Sequence, residues 1–514
     1  MRPAREQLPL VLLHVAAQIG FGLLIARVYL ARENSLERSG HWLATKTTLE
    51  RSVMGAFNFM RGGQSVARSR LNLSAWFGYQ EVLYKRPLRL REVEFDFELG
   101  PKAYLCFLFA KSDASFSGVR LSLSERFPSQ FFTASDAGEF LTRSAFALPP
   151  LQPRSWHHAR LSFARDEVSL EIDEKPLTRA PAAVPREQVV GFRGGRRVAL
   201  VDNVVFREQT GDPLRPSSTV HESFGPTDFL EVAGLAVAAL FVVNGALLAA
   251  GLRRAGRQIA LGTLLANCVG ALLMALLLGY QSFAASRYPA LGRGLLASEQ
   301  QWKIATGEDV RAQLRRQYGG APKTNRILFL GTSQTWGAGA ARRGDTFVEV
   351  VERRLGETLG SNDYECLNGG ISAVDSSYLL EALESEWIRL GAKVLVIDLG
   401  NNDSDAERLG QNLLRMIRLA RANGAEPIVV LEPNSAEDPD ADLGALRARH
   451  DAMRRVAEAE KVSVVDMHEH LARNEDRGFL WWDSVHLTTF GQSLFAERLL
   501  PELQASLRRK RTES

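Results

Sequence analysis

Four short polar stretches in the last third of the chain carry side chains that together do acyl-transfer chemistry. "GTS" (331–333) offers a serine hydroxyl, "NGGISA" (368–373) a turn of small residues, "GNND" (400–403) side-chain amides, and "DSVH" (483–486) a carboxylate three residues before an imidazole. Cleaving an ester requires a nucleophile, a base that takes its proton, a carboxylate that fixes the base's tautomer, and N–H donors aimed at the developing oxyanion. Every role has a candidate. Taken alone, Gly-Thr-Ser is equally well read as the end of a strand, so the elements around these stretches must decide.

Those elements are apolar runs at 327–330, 364–367, 394–399, 427–431 and 462–465, separated by helix-length segments such as 377–390 and 405–422. Continuous rather than alternating apolar strands, each followed by a helix, predict a three-layer α/β domain whose parallel sheet is covered on both faces. In such sheets reactive groups collect at the carboxyl ends of the strands, which is where the polar turns fall.

With "FLGTSQTWG", "GNND" and "DSVHLTTFG" in this order, the chain over roughly residues 323–507 resembles the SGNH hydrolase family, also called GDSL-type esterases. The resemblance implies a flavodoxin-like hydrolase domain in which Ser333 is the nucleophile, His486 the general base and Asp483 its orienting carboxylate. It further implies an oxyanion site formed by the N–H of Ser333, the N–H of Ala373 and the side chain of Asn402, with Gly370 as the alternative to Ala373. No metal or cofactor is expected. Two positions depart from the family pattern. Thr332 replaces the aspartate that usually precedes the serine, and Ala373 stands where a glycine is usual; alanine keeps the N–H but resists positive φ. Trp481 and Trp482 next to Asp483 either stack on a sugar ring or pack to fix the loop.

Nearer the amino terminus the pattern changes. "REVEFDFELG" (91–100) alternates apolar and acidic residues with the period of a half-buried strand, and 119–124, 159–163, 168–173 and 197–206 repeat it, so an antiparallel β-sandwich is expected. The stretch 155–177, with its Trp-His-His strand, resembles concanavalin-like or laminin-G-like sandwiches, which implies carbohydrate binding or a spacer role. His157 and His158 are read as ordinary strand residues.

The chain has 514 residues, 24% of them charged and 45% hydrophobic, with 63 basic against 59 acidic side chains and a formal net charge of +4. That balance gives no argument for nucleic acid. Cys106, Cys268 and Cys366 fall in separate segments and suggest neither disulfides nor a metal site. Mean hydropathy is −0.12, yet windows 8–26, 230–252 and 259–280 are long and nearly uncharged, each about the 20 residues a membrane span requires. Three transmembrane helices are therefore expected, the first of them an anchor or a cleaved signal peptide, with Asn244 and Asn267 paired between the second and third. Arg2 and Arg5 place the amino terminus in the cytoplasm, Arg253, Arg254 and Arg257 place the short loop there too, and both soluble regions then lie outside.

The expected organisation is a multidomain membrane protein: an anchor (1–31), a helical juxtamembrane segment (32–90), a lectin-like sandwich (91–210), a two-helix membrane hairpin (229–281), a linker (282–321) and a hydrolase domain (322–510). The expected activity is an extracytoplasmic serine esterase whose partners are the lipid bilayer and an acylated cell-surface glycan. An O-acyltransferase supplied by a separate membrane acyl donor, or a non-catalytic surface-binding protein, are the alternatives.

Overall fold

A computed structural model describes residues 42–44, 65–222, 305–318 and 325–513, apart from short stretches inside these ranges. The carboxyl-terminal part is a five-stranded sheet of β1 (Asn325–Gly331), β2 (Tyr364–Gly370), β3 (Val394–Leu399), β4 (Glu426–Leu431) and β5 (Ser463–Asp466), all parallel and in the order β2-β1-β3-β4-β5. β1 and β3 are buried along their whole length, which is why their sequences run apolar without alternation. Helices cover both faces: α1 (Gly307–Tyr318), α4 (Ser376–Ser385), α5 (Ala406–Ala422) and α6 (Gly444–Ala459) on one, α3 (Phe347–Leu359), α7 (Met467–Arg473) and α8 (Thr489–Glu513) on the other, with the short α2 (Ser333–Trp336) leaving β1. The strand order reverses between β1 and β3. Open α/β sheets place their ligands in the crevice at that switch point, and here it is flanked by Ser333 after β1 and Asn402 after β3.

The amino-terminal part is an antiparallel sandwich of a seven-stranded and an eight-stranded sheet. Phe95, Phe107 and Phe192 interlock between the sheets, with Phe192 edge-on to Phe95 at 5.0 Å and to Phe107 at 5.2 Å between ring centres. His157 and His158 lie on strand Trp156–Phe163, each with its Nδ1 2.8 Å from a carboxylate oxygen, Asp173 for the first and Asp96 for the second.

The sandwich is larger than expected. Within 32–90, read from sequence as helical, the described residues form strands at Trp42–Ala44, Ser65–Ala67, Arg70–Asn72 and Ala75–Tyr84. Strand Tyr104–Lys111 was also not foreseen, because Tyr104 to Phe109 are all buried and no alternation remains. One face of that strand looks into the sandwich core, while Tyr104, Cys106 and Leu108 on the other join Phe116, Phe132 and Ala134 around Phe479 of the carboxyl-terminal domain.

The two domains therefore share a core. The Arg193 guanidinium lies 4.1 Å over the Phe479 ring and is paired with Glu81 in a buried salt bridge. The turn after strand Gln130–Ser135 adds backbone bonds, Phe479 N–H to Gly138 O (2.9 Å) and Phe490 N–H to Ala137 O (3.1 Å). This contact is on the chain that leads directly into Asp483.

The expectation of three membrane-spanning helices is corrected: among the described residues no helix is long and apolar enough to cross a membrane. The longest, α8, has 25 residues but carries Glu497, Arg498 and Glu502 along its length, charges a lipid environment penalises heavily. Windows 8–26, 230–252 and 259–280, with Asn244 and Asn267, lie outside the described residues. The multi-pass topology and the sidedness inferred from it fall with those helices.

Candidate active site

β1 ends at Gly331, and Thr332 caps α2 with extended backbone while its side chain accepts from the Gln334 N–H. Ser333 is thereby the first residue of a short helix, where its own N–H has no intrahelical partner. Its Oγ lies 2.8 Å from His486 Nε2, and His486 Nδ1 lies 2.7 Å from Asp483 Oδ2. In the Nδ1–H tautomer the imidazole donates to Asp483 and accepts from the serine, the arrangement required of a base that removes the hydroxyl proton. Asp483 Oδ1 accepts two backbone N–H groups, from Val485 (2.8 Å) and His486 (2.7 Å).

Asp483 is 3% exposed. Burial alone would raise its carboxyl, but the adjacent His486 and the hydrogen bonds it accepts outweigh that and hold it below the usual carboxylate range. The acid is thus kept ionised beside the base.

The other sequence candidates lie across the switch point. Ala373 has φ +60°, in the left-handed region, so alanine does adopt the conformation that favours glycine, at a cost of about 1–2 kcal/mol. Among the described residues no hydrogen bond engages the N–H of Ser333 or of Ala373. The exposed Asn402 donates one Nδ2 hydrogen to Val374 O at 2.9 Å, which ties it to the loop carrying Ala373 and leaves its second N–H for another acceptor. Gly370 is differently employed: its N–H donates to Asn368 Oδ1 at 3.0 Å, and a Cβ there would meet Trp336 N at 2.1 Å. Its role is close approach of β2 to α2, and its amide is not available to an oxyanion.

Because Ala373 is held at positive φ, Ala373→Gly is expected to leave turnover within about threefold of the parent and to stabilise by up to about 1 kcal/mol, the steric relief being partly offset by glycine's greater unfolded-state entropy. Kinetics and thermal unfolding check this; a large loss of turnover would mean that the methyl group itself shapes the site.

Trp481 is buried in the core with Phe490 and Leu487, the packing alternative of the two readings. Trp482 is half-buried, its ring centre 6.1 Å from that of His486.

Sequence reasoning missed two buried acids beneath the Ser333 turn. Asp398 in β3 and Glu432 after β4 are both 0% exposed. Asp398 Oδ2 accepts from Thr335 Oγ1 at 2.8 Å; Glu432 is bonded to the Thr332 hydroxyl and to the Asn401 N–H. Burial pushes Asp398 up to about 7, and burial together with the neighbouring Asp398 pushes Glu432 well above the ordinary range. A lone acid within the apolar run "VLVIDL" (394–399) and another closing "PIVVLE" (427–432) were the available signals.

These shifts imply a pH dependence. Asp398 moves from 3.8 to about 7 on folding, so between those values the native state holds more protons and stability falls as pH rises. Asp398→Asn removes that titration while preserving an acceptor for Thr335. The variant is expected to melt several degrees above the parent at pH 8 and to match it near pH 4; equal melting curves at both would contradict the assignment.

Residues 329–494 match the model of the GDSL-like lipase/acylhydrolase family. The chain thus carries a GDSL-like lipase/acylhydrolase domain in its carboxyl-terminal part. Solved structures similar to the GDSL domain include the lipase/acylhydrolase of Enterococcus faecalis (20% identity, covering 35% of this chain and 96% of that one, TM-score 0.32), an acetyl xylan esterase (20%, 34% and 98%, TM-score 0.32) and TesA (24%, 35% and 99%, TM-score 0.32). Comparison with curated proteins gave no match.

Proposed function

We propose that the GDSL domain cleaves carboxylic esters by a serine mechanism, a reading supported above all by the unbroken line from Ser333 through His486 to the buried, ionised Asp483. Ser333 Oγ attacks the ester carbonyl as His486 Nε2 takes its proton. The tetrahedral oxyanion is received by the N–H groups of Ser333 and Ala373 and the free N–H of Asn402. His486 then protonates the departing alcohol, and a water activated by the same imidazole releases the acyl group from the serine.

Water is the acceptor in this reading; a sugar hydroxyl in its place would make the same site an O-acyltransferase. The choice is tested by incubating the full-length protein with p-nitrophenyl acetate and with an acetylated glycan, each with and without a free glycan acceptor. Acetate release unaffected by the acceptor is expected. Acyl transfer in preference to release would overturn the esterase reading, and no turnover of any ester would overturn the catalytic one.

A further inference from the structure

The segment that follows β4 runs between the nucleophile turn and the loop after β3, and it bonds to both. Glu432 Oε1 takes the hydroxyl of Thr332, while Oε2 accepts the Asn401 backbone N–H at 2.8 Å. One residue on, the Pro433 carbonyl repeats the pattern, accepting Gln334 Nε2 at 2.6 Å and Asn401 Nδ2 at 2.8 Å. The residues on either side of Ser333 and the residue before Asn402 are thus bound to the same two-residue segment. The His450 imidazole supports it from below, its Nε2 3.1 Å from Glu432 O.

Burying a carboxyl costs several kcal/mol unless its oxygens are engaged, and where only packing is needed an apolar side chain does better. Glu432 is 0% exposed, and its two oxygens go to two different loops. Neither bond holds the sheet together, since β3 and β4 are already paired along Val394–Leu399 and Glu426–Leu431. What the carboxyl adds is a tie between the two turns beyond Gly331 and Asp398, where the pairing of β1 with β3 ends.

We propose that Glu432 is a positioning residue for ester cleavage: holding Thr332 through one oxygen and Asn401 through the other, it sets the separation between the nucleophile Ser333 and the oxyanion donor Asn402. The inference rests on the reaction proposed above. A misplacement of roughly 1 Å between such groups lowers the rate about 100-fold without weakening substrate binding, so the signature is a loss in kcat with KM preserved.

Glu432→Met keeps the length of the side chain and removes both acceptors. Glu432→Gln keeps an oxygen for the Asn401 N–H and turns its amide toward Thr332 Oγ1, so it can still span the loops. Thr332→Val cuts the Thr332 arm and, with it, the side-chain cap on the Gln334 N–H, while leaving the Asn401 arm in place. With full-length protein and p-nitrophenyl acetate, Glu432→Met is expected to lower kcat about 100-fold and Thr332→Val about tenfold, with KM within about threefold of the parent, while Glu432→Gln stays within about fivefold of parental kcat. A Glu432→Met variant with parental kcat, or Met and Gln variants equally impaired, overturns the proposal. Should Glu432→Met fail to fold, Thr332→Val carries the test, since parental kcat there overturns the proposal equally. A parent protein inactive on every ester defeats the esterase reading itself, and this inference with it.

Discussion

Asp483→Asn will fold normally and lose roughly 10⁴-fold in kcat, the cost of holding a catalytic histidine in the wrong tautomer. Asp483 Oδ1 already accepts the backbone N–H groups of Val485 and His486, and Oδ2 faces His486 Nδ1. An asparagine must keep its oxygen on the two backbone donors, because its NH₂ group cannot accept from them. Its amide hydrogens then point at Nδ1, which is forced to accept, and the ring proton moves to Nε2. An imidazole protonated at Nε2 cannot take the proton of Ser333. Steady-state kinetics with a melting curve checks this: near-parental kcat at unchanged stability would mean that another group orients His486.

The second large effect is expected at Asn402. Its side chain is exposed and its one observed bond is to Val374 O, so Asn402→Ala removes little that holds the fold. If the free N–H meets the oxyanion, that change lowers kcat about 10²–10³-fold with little change in KM, because the interaction forms only as charge develops on the oxygen. Asn402→Asp is expected to be no better, since an ionised carboxylate has no hydrogen to donate. A loss confined to KM would place Asn402 in substrate binding and leave the Ser333 and Ala373 amides as the oxyanion donors.

Which parts of this site are legible in the sequence follows from how far apart the cooperating atoms lie along the chain. Asp483 and His486 are three residues apart and Ser333 lies two residues past the end of β1, so local patterns expose them. Glu432 meets Thr332 across 100 residues of sequence, and nothing near either residue announces the pairing. The parallel sheet was readable because β1, β3 and β4 are continuous apolar runs between amphipathic helices. Strand Tyr104–Lys111 was hidden for a related reason, being buried by its own partner sheet on one face and by the GDSL domain on the other. Alternation reports a half-solvated strand; it cannot report a strand covered by a second domain. The membrane reading used apolar length alone, and the described helices, amphipathic and charged along one side, give it no support.

Domain contact also places the sandwich in the chemistry at one remove. Phe479, enclosed by Phe116, Phe132 and Phe140 of the sandwich, is four residues before Asp483. The loop carrying Asp483 and His486 is therefore anchored in a core that the GDSL domain does not complete by itself.

The central claim is that Ser333 is a nucleophile activated by His486. The most direct test is labelling of the full-length native protein with an organophosphonate, followed by peptide mapping. One adduct is expected, on Ser333, abolished in Ser333→Ala and strongly slowed in Asp483→Asn. Labelling of Ser333→Ala as fast as the parent, or an adduct on another residue, would contradict it.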